Sequence, residues 1–179
     1  MAIEKSWSGM RKYLEKEMLV DFLHGRVRYN CTTYPGMDGC HIFELFLDGK
    51  LFKQFSWETV NSYFIKKGIA KKPENMTIAE YWENFWNLLD QYPLQTRTEY
   101  TDDEFAKALN VYRNQEIQNS IYSENPIIKM FALLDRRTGK RTLEKLSDSI
   151  PDEPEWIQRL YKFRVESEAR QLLQKNHKF

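Results

Sequence analysis

The chain has 179 residues and carries 27 Lys and Arg against 26 Asp and Glu, a formal net charge of +1 at pH 7. Its 41% hydrophobic content can bury a sizeable core, which excludes disorder throughout the chain. The near-zero charge excludes a globally basic nucleic-acid binder but leaves room for a local basic patch. The length fits one domain, or two small ones that share a core.

The N-terminal region predicts a cytoplasmic protein rather than a secreted one. Charged side chains recur through residues 1–20, and no apolar run of the signal-peptide kind follows them. No apolar stretch approaches the ~20 residues that a bilayer-spanning helix needs. Cys31 and Cys40 do not make a disulfide scaffold, so we expect two reduced thiols and no contact with a membrane.

The first elements in the chain are a predicted helix and a predicted strand. Ser8 is expected to cap a helix that runs to about His24, because apolar residues recur at helical spacing and Gly25 follows as a stop. From Val27 the apolar residues alternate with polar ones, which predicts a half-buried strand to about Tyr34.

Two further strands are predicted after a loop over residues 35–39, which is built of turn-forming residues. The apolar segments 41–47 and 51–55 flank Asp48 and Gly49. Asp-Gly between two apolar runs is the strongest short signal for a β-hairpin. The first part of the chain therefore predicts a three-stranded antiparallel sheet.

The rest of the chain predicts helices. Ser56 precedes a short helix that ends at Gly68, and Thr77 with Glu80 forms a capping box at the start of a strongly amphipathic helix that Pro93 ends. A second capping box predicts a helix from Thr101 to about Tyr122, and three more helices are expected to begin near Pro126, Thr142 and Pro154.

These elements predict an α+β protein: an N-terminal helix and a small three-stranded antiparallel sheet, followed by a mainly helical C-terminal part. We expect a helix-plus-sheet unit over residues 1–72 and a helical unit over 73–179, packed as one compact domain. The helical unit is expected to cover one face of the sheet. A free edge of so small a sheet makes a homodimer plausible.

Two kinds of residue grouping suggest catalysis or metal binding at first sight: a cysteine–histidine group and pairs of carboxylates. For both kinds, the spacing and position of the residues favour a structural role. Cys31, Cys40 and His41 resemble a zinc or cysteine–histidine site, but their spacing matches no zinc-ligand pattern. The carboxylates of Asp102 and Asp103 begin a helix, where they stabilise its N-terminus without any further role. Glu166 and Glu168 are two residues apart and lie on different faces of a helix. We therefore predict no catalytic residue, no cofactor and no metal.

A basic segment is the strongest candidate for binding. Residues 129–145 contain six basic side chains and two acidic ones, a local charge of +4, whereas residues 99–124 contain six acids and two bases. A nucleotide-binding P-loop is rejected because Leu134 stands where that motif needs glycine. One interpretation is structural: the arginines complement a helix C-terminus, Gly139 ends that helix, and the arginine stems pair with Glu166 or Glu168. The other is that the turn binds an anionic group. The candidate residues are Arg136, Arg137, Lys140 and Arg141.

Aromatic residues are dense in the amphipathic helix, where Trp82 and Trp86 lie. Their helical spacing is typical of a core helix. The alternative is an aromatic-lined pocket between this helix and the sheet, in a small-ligand-binding protein or an enzyme.

Several motifs resemble those of a family of bacterial proteins of unknown function. They are Trp7-Ser8, the G-R-V-x-Y strand at residues 25–29, the D-R-R-x-G-K-R-x-L segment at 135–143, and the last helix with Trp156, Phe163, Arg164, Glu166 and Glu168. The resemblance implies a bacterial, intracellular protein and carries over no catalytic residue to this chain. Together with the local charge it makes a non-enzymatic binding or regulatory module the leading hypothesis. Its partner would be anionic and would contact the basic helix-turn-helix segment; nucleic acid is only weakly supported as that partner.

Overall fold

The computed structural model describes residues 6–33, 40–70 and 76–176. An N-terminal helix leads into a three-stranded antiparallel sheet, and the remainder is mainly helical. The predicted α+β class is confirmed. Among the described residues, no helix is both long and apolar enough to cross a membrane.

The first helix begins earlier than predicted. Helix α1 spans Trp7–Lys12 and continues as one π-helical turn over Tyr13–Met18. Its N-cap is Ser6, whose hydroxyl accepts a 3.4 Å hydrogen bond from the Gly9 amide, and the expected cap Ser8 lies inside the helix. Either serine satisfies the sequence pattern, because both precede the apolar stripe that begins at Met10.

The first helix also ends earlier than predicted, at Met18 instead of His24. The next residues are extended because the chain pairs there with a distant segment, and the Val20 amide donates to the Leu134 carbonyl over 3.2 Å. Gly25 has a φ of +79° and lies in the turn before the first strand, so it does not cap the helix.

The three strands are β1 (Val27–Thr33), β2 (His41–Leu47) and β3 (Lys50–Phe55), in the order β1-β2-β3. The predicted loop over 35–39, and Tyr34 before it, lie outside the described residues. The hairpin prediction is confirmed, since Asp48 and Gly49 both have positive φ, as a type I′ turn requires.

Both outer strands of the sheet are partly covered at their edges. The Glu15 carboxylate accepts a 2.7 Å hydrogen bond from the Tyr29 amide of β1. Directly after β3, the Ser56 amide donates to the Tyr100 carbonyl over 3.0 Å. Such contacts limit association of two chains through the edges of their sheets. Formation of a homodimer stays a prediction.

Seven helices follow the sheet in the described part of the chain. Both predicted capping boxes are present, Thr77 with Glu80 and Thr101 with Glu104. The helices are α2 (Trp57–Lys66), α3 (Ile78–Gln91), α4 (Asp102–Arg113), α5 (Ile117–Ile121), α6 (Pro126–Leu134), α7 (Lys140–Leu146) and α8 (Glu155–Asn176).

Two predicted helix boundaries are wrong. The helix expected to reach Tyr122 is broken after Arg113, where the Asn114 side chain donates to the Asn110 carbonyl over 2.8 Å and competes with the helical pattern. Gly139 does not end α6. It has a φ of −84° and is the N-cap of α7, which starts at Lys140 rather than at Thr142.

The main core joins α1, the inner face of the sheet and helices α4, α6 and α8. All nine residues of α6 are buried, and its Lys129 ammonium pairs with Glu153. Residues from both predicted units contribute to this core, and the boundary drawn between positions 72 and 73 lies outside the described residues.

Helix α3 packs on α2 rather than on the sheet. Val60, Phe64 and Phe85 form a second, small cluster there. Within α3 only Phe85 is fully buried, whereas Ile78 is 79% exposed and Trp86 is 53% exposed. The interpretation of this aromatic helix as a core element is therefore wrong for the exposed side of α3, which carries Ile78 and Trp86.

Three core tyrosines predict a loss of stability at high pH. Burial raises the pKa of Tyr29, Tyr100 and Tyr112 well above the ordinary value. In the unfolded chain these phenols ionise near pH 10. Each buried, protonated phenol therefore makes its full contribution to the free energy of unfolding below pH 10. Above pH 10 that contribution falls by about 1.4 kcal/mol per pH unit for each tyrosine. Burial lowers the pKa of Lys53, which acts in the opposite direction but is a single group. Urea titrations between pH 9 and 11 measure the slope.

Tyr29→Phe separates this effect from general alkaline damage. Among the described residues the buried Tyr29 hydroxyl has no hydrogen-bond partner, so its removal should leave stability at pH 7 unchanged or raised by about 1 kcal/mol. Above pH 10, the free energy of unfolding should decrease with pH less steeply than in the unchanged protein, by about 1.4 kcal/mol per pH unit. Tyr112→Phe is the control for stability at pH 7. It removes a hydroxyl that donates to Asp135, so it should lower the free energy of unfolding at that pH. A Tyr29→Phe protein with an unchanged alkaline slope would contradict the prediction.

Candidate anion-binding surface

The basic turn, residues 135–141, connects α6 to α7 and is held from two sides. The Arg136 amide donates to the Met18 carbonyl at the end of the N-terminal helix over 2.8 Å. The Arg164 guanidinium of α8 donates to the Thr138 carbonyl over 3.1 Å. Elements from both ends of the chain therefore fix the conformation of this turn.

Arg137 is the candidate residue with a structural role in the fold. Its guanidinium donates to both carboxylate oxygens of Asp135, at 2.6 to 3.1 Å, and Asp135 is completely buried. The Tyr112 hydroxyl also donates to this carboxylate. Hydrogen bonding to Asp135 raises the pKa of Arg137, and burial together with the same carboxylate raises that of Tyr112. The half-exposed Arg137 thus neutralises a buried charge, and the predicted pairing with Glu166 or Glu168 is not what it forms.

The other three candidates are exposed and only weakly paired. Lys140 is 65% exposed and lies 3.7 Å from Glu144, an exposed ion pair of the kind that contributes little. Within the described part of the chain, the Arg136 and Arg141 guanidinium groups have no ion-pair partner. Three cations on a fixed turn are therefore available to an external anion.

The acidic stretch 99–124 does not neutralise this turn. Glu99 pairs with Lys53 at 2.6 Å, and Asp103 pairs with Lys107 within α4 at 2.5 Å. Glu104 pairs with the buried Arg97 guanidinium. The partners of these three acids are cations outside the basic turn.

Three further cations lie on or beside the N-terminal helical segment whose end is bonded to the basic turn. The Arg113 guanidinium lies 5.7 Å from the centre of the Tyr13 ring, in the segment whose last residue, Met18, is bonded to the turn. Lys12 and Lys16 are exposed and lie within three residues of Tyr13 in the chain. Sequence reasoning missed these residues, because no local signal relates the N-terminal helix to a turn more than a hundred residues away.

The rejected catalytic candidates have ordinary surroundings. Asp102 accepts a 3.0 Å hydrogen bond from the His41 amide. Burial, with the nearby Asp102 charge, raises the pKa of Cys31 to about 11, which keeps the thiol protonated and a poor nucleophile at neutral pH. No three His, Cys, Asp or Glu residues of the described regions are grouped as a metal site would need.

A cavity of about 380 Å³ lies between α2 and α3. It is not the aromatic pocket that the sequence suggested between α3 and the sheet, since neither Trp82 nor Trp86 is among its lining residues. Trp82 packs edge-on against Trp57, with ring centres 4.8 Å apart. Side-chain amides, a tyrosine and aliphatic groups line the cavity: Asn61, Ile69, Ala70, Met76, Tyr81, Asn84, Phe85, Asn87, Leu88 and Gln91.

In a comparison with known families, the model of the SF0329 protein family matches residues 6–165. The chain belongs to the SF0329 protein family. No curated protein and no solved structure gives a significant match. The range shared with the SF0329 family includes the basic turn, its contacts with Met18 and Arg164, and the cavity. The family description states no activity, so the functional argument depends on the chemistry of these sites.

Proposed function

We propose that this SF0329 family member is a non-enzymatic binding or regulatory module whose partner is anionic. The contact is made by Arg136, Lys140 and Arg141, which are exposed on a turn of fixed conformation. The supporting observation is that, among the described residues, neither arginine has an ion-pair partner, although a strongly acidic stretch precedes them in the chain.

The geometry of the turn favours binding for two physical reasons. Its backbone is already held by Met18 and Arg164, so little conformational entropy is lost when a partner binds. Arginine also presents a planar set of N–H donors that matches a carboxylate or phosphate in a two-point contact. Arg137 acts as a positioning residue, since its guanidinium already binds Asp135.

Salt-dependent binding to a polyanion tests the proposal. The triple variant R136A/K140A/R141A should elute from heparin resin at clearly lower salt than the unchanged protein. For double-stranded DNA, each lost phosphate contact lowers the slope of log K against log salt by about 0.9. A similar reduction, measured with a fluorescent heparin fragment, is expected here.

A variant with the same loss of charge at other sites is the control. Lys50, Lys66 and Lys162 are exposed and lie outside the basic turn. The K50A/K66A/K162A protein should elute close to the unchanged protein, and thermal unfolding should show that both triple variants remain folded. Equal elution of the two triple variants would refute a specific role for the turn.

A further inference from the structure

We propose that the cavity between α2 and α3 binds a nucleobase or a nucleoside. This site is separate from the basic turn and does not depend on the function proposed for it. The argument rests on the cavity's size, on the amide groups in its wall and on the lack of charge in its described lining.

The size and shape of the cavity suit a small organic molecule. Ligand pockets usually enclose about 300 to 1,000 Å³, and this cavity encloses about 380 Å³. Phe85 and Leu88 of α3 line it, while Ile69 and Met76 come from the segments beside the two helices. These apolar groups can contact the two faces of a flat ring, and a thioether makes favourable contacts with aromatic rings.

Four side-chain amides supply the polar part of the wall. Asn84, Asn87 and Gln91 follow one stripe of α3, and Asn61 faces them from α2. A carboxamide offers both a donor and an acceptor. The edges of nucleobases present the same alternation, and Asn and Gln recognise such edges through paired hydrogen bonds.

Asn61 supplies an acceptor that the fold leaves unused. Asn61 lies near the Tyr81 hydroxyl and partly offsets the rise in the Tyr81 pKa that burial causes. The Asn61 Oδ1 atom is buried and accepts no hydrogen bond from the described residues. A buried acceptor without a partner is destabilising, and a small shift of the side chain would present it to a ligand N–H.

The lack of charge in the described lining narrows the ligand class. Among the described residues that line the cavity, none carries a formal charge. From these described residues a phosphate would gain no cation to offset its lost hydration, and we therefore propose a nucleoside rather than a nucleotide. A sugar has hydroxyl groups to match the amides, but it lacks two flat apolar faces for Met76, Leu88 and Ile69.

Titration of the full chain with adenosine, guanosine, cytidine and uridine, followed by amide NMR shifts, tests this site. At least one nucleoside at millimolar concentration should shift resonances of residues 84–91. Glucose should bind more weakly than that nucleoside, and the matching nucleoside monophosphate should bind no better. Because the ligand is uncharged, added salt and the R136A/K140A/R141A substitutions should not change its affinity. Failure here therefore leaves the proposal for the basic turn untouched.

The variant N87A/Q91A locates the binding. Both side chains are exposed and make no hydrogen bond with other described residues, so the fold should survive. Loss of two hydrogen-bonding groups should weaken the affinity by about 10-fold or more, whereas E83A on the same helix should leave it unchanged. No shift with any of the four nucleosides, glucose binding of equal strength, or an unchanged affinity in N87A/Q91A would each overturn the proposal.

Discussion

Replacing Asp135 by alanine is expected to lower the free energy of unfolding by about 3 to 5 kcal/mol. The carboxylate is fully buried and accepts hydrogen bonds from the Arg137 backbone and guanidinium and from the Tyr112 hydroxyl. Without this carboxylate, the buried Tyr112 hydroxyl loses its hydrogen-bond acceptor and the partly buried Arg137 guanidinium loses its counter-ion. Urea denaturation followed by tryptophan fluorescence measures the loss.

Two variants control for other effects of the Asp135→Ala substitution. Asp103→Ala removes an exposed carboxylate that pairs with Lys107, and it should lower stability by no more than about 1 kcal/mol. Asp135→Asn keeps the acceptor for the Arg137 amide but removes the charge, so its loss should lie between those of the two alanine variants. A loss below about 1 kcal/mol for Asp135→Ala would contradict the assigned role.

Replacing Glu168 by alanine is expected to lower the free energy of unfolding by about 3 kcal/mol. Replacing its ion-pair partner, Arg164, by methionine is expected to lower it by less. Glu168 pairs at 2.7 Å with Arg164, which is 1% exposed and lies 4.7 Å from the centre of the Phe22 ring. The Glu168→Ala variant leaves a buried guanidinium without its counter-ion. Arg164→Met fills the same space without a charge, and the remaining carboxylate is partly solvated.

Glu166 provides the matched control, because it lies two residues away on α8. It is 48% exposed and stays 3.7 to 3.9 Å from Lys162 and Arg170. Glu166→Ala should change stability by less than about 1 kcal/mol, as thermal and urea unfolding would show. Equal losses for Glu166→Ala and Glu168→Ala would mean that burial of Arg164 does not determine the effect.

Elements with strong local signals could be predicted from the sequence. The hairpin at Asp48-Gly49 and the capping boxes at Thr77 and Thr101 depend on contacts within a few residues, and all three are present. The early end of the first helix could not be predicted, because Val20 pairs with Leu134 across the fold. Gly139 shows the same limit, since a glycine between two helices suits the end of one as well as the start of the next.

The sequence predicts where the basic residues cluster, but not which of them are paired inside the fold. The local charge of +4 identifies the segment. It did not distinguish Arg137, which neutralises Asp135, from Arg136, which has no ion-pair partner in the described part of the chain. That division depends on the burial of Asp135 beside Tyr112, a contact between α4 and the basic turn that charge counting does not reveal.

The pairing of the N-terminal segment with the basic turn constrains how the protein forms during synthesis. Leu19 pairs with Asp135, so the ribosome must add more than a hundred residues before the N-terminal segment can meet its partner. Until then the segment that ends at Met18 and Leu19, both buried in the finished protein, lacks this partner and stays partly exposed. Contacts so distant in sequence also slow folding. A nascent chain stopped before α6 should therefore need a chaperone to stay out of aggregates.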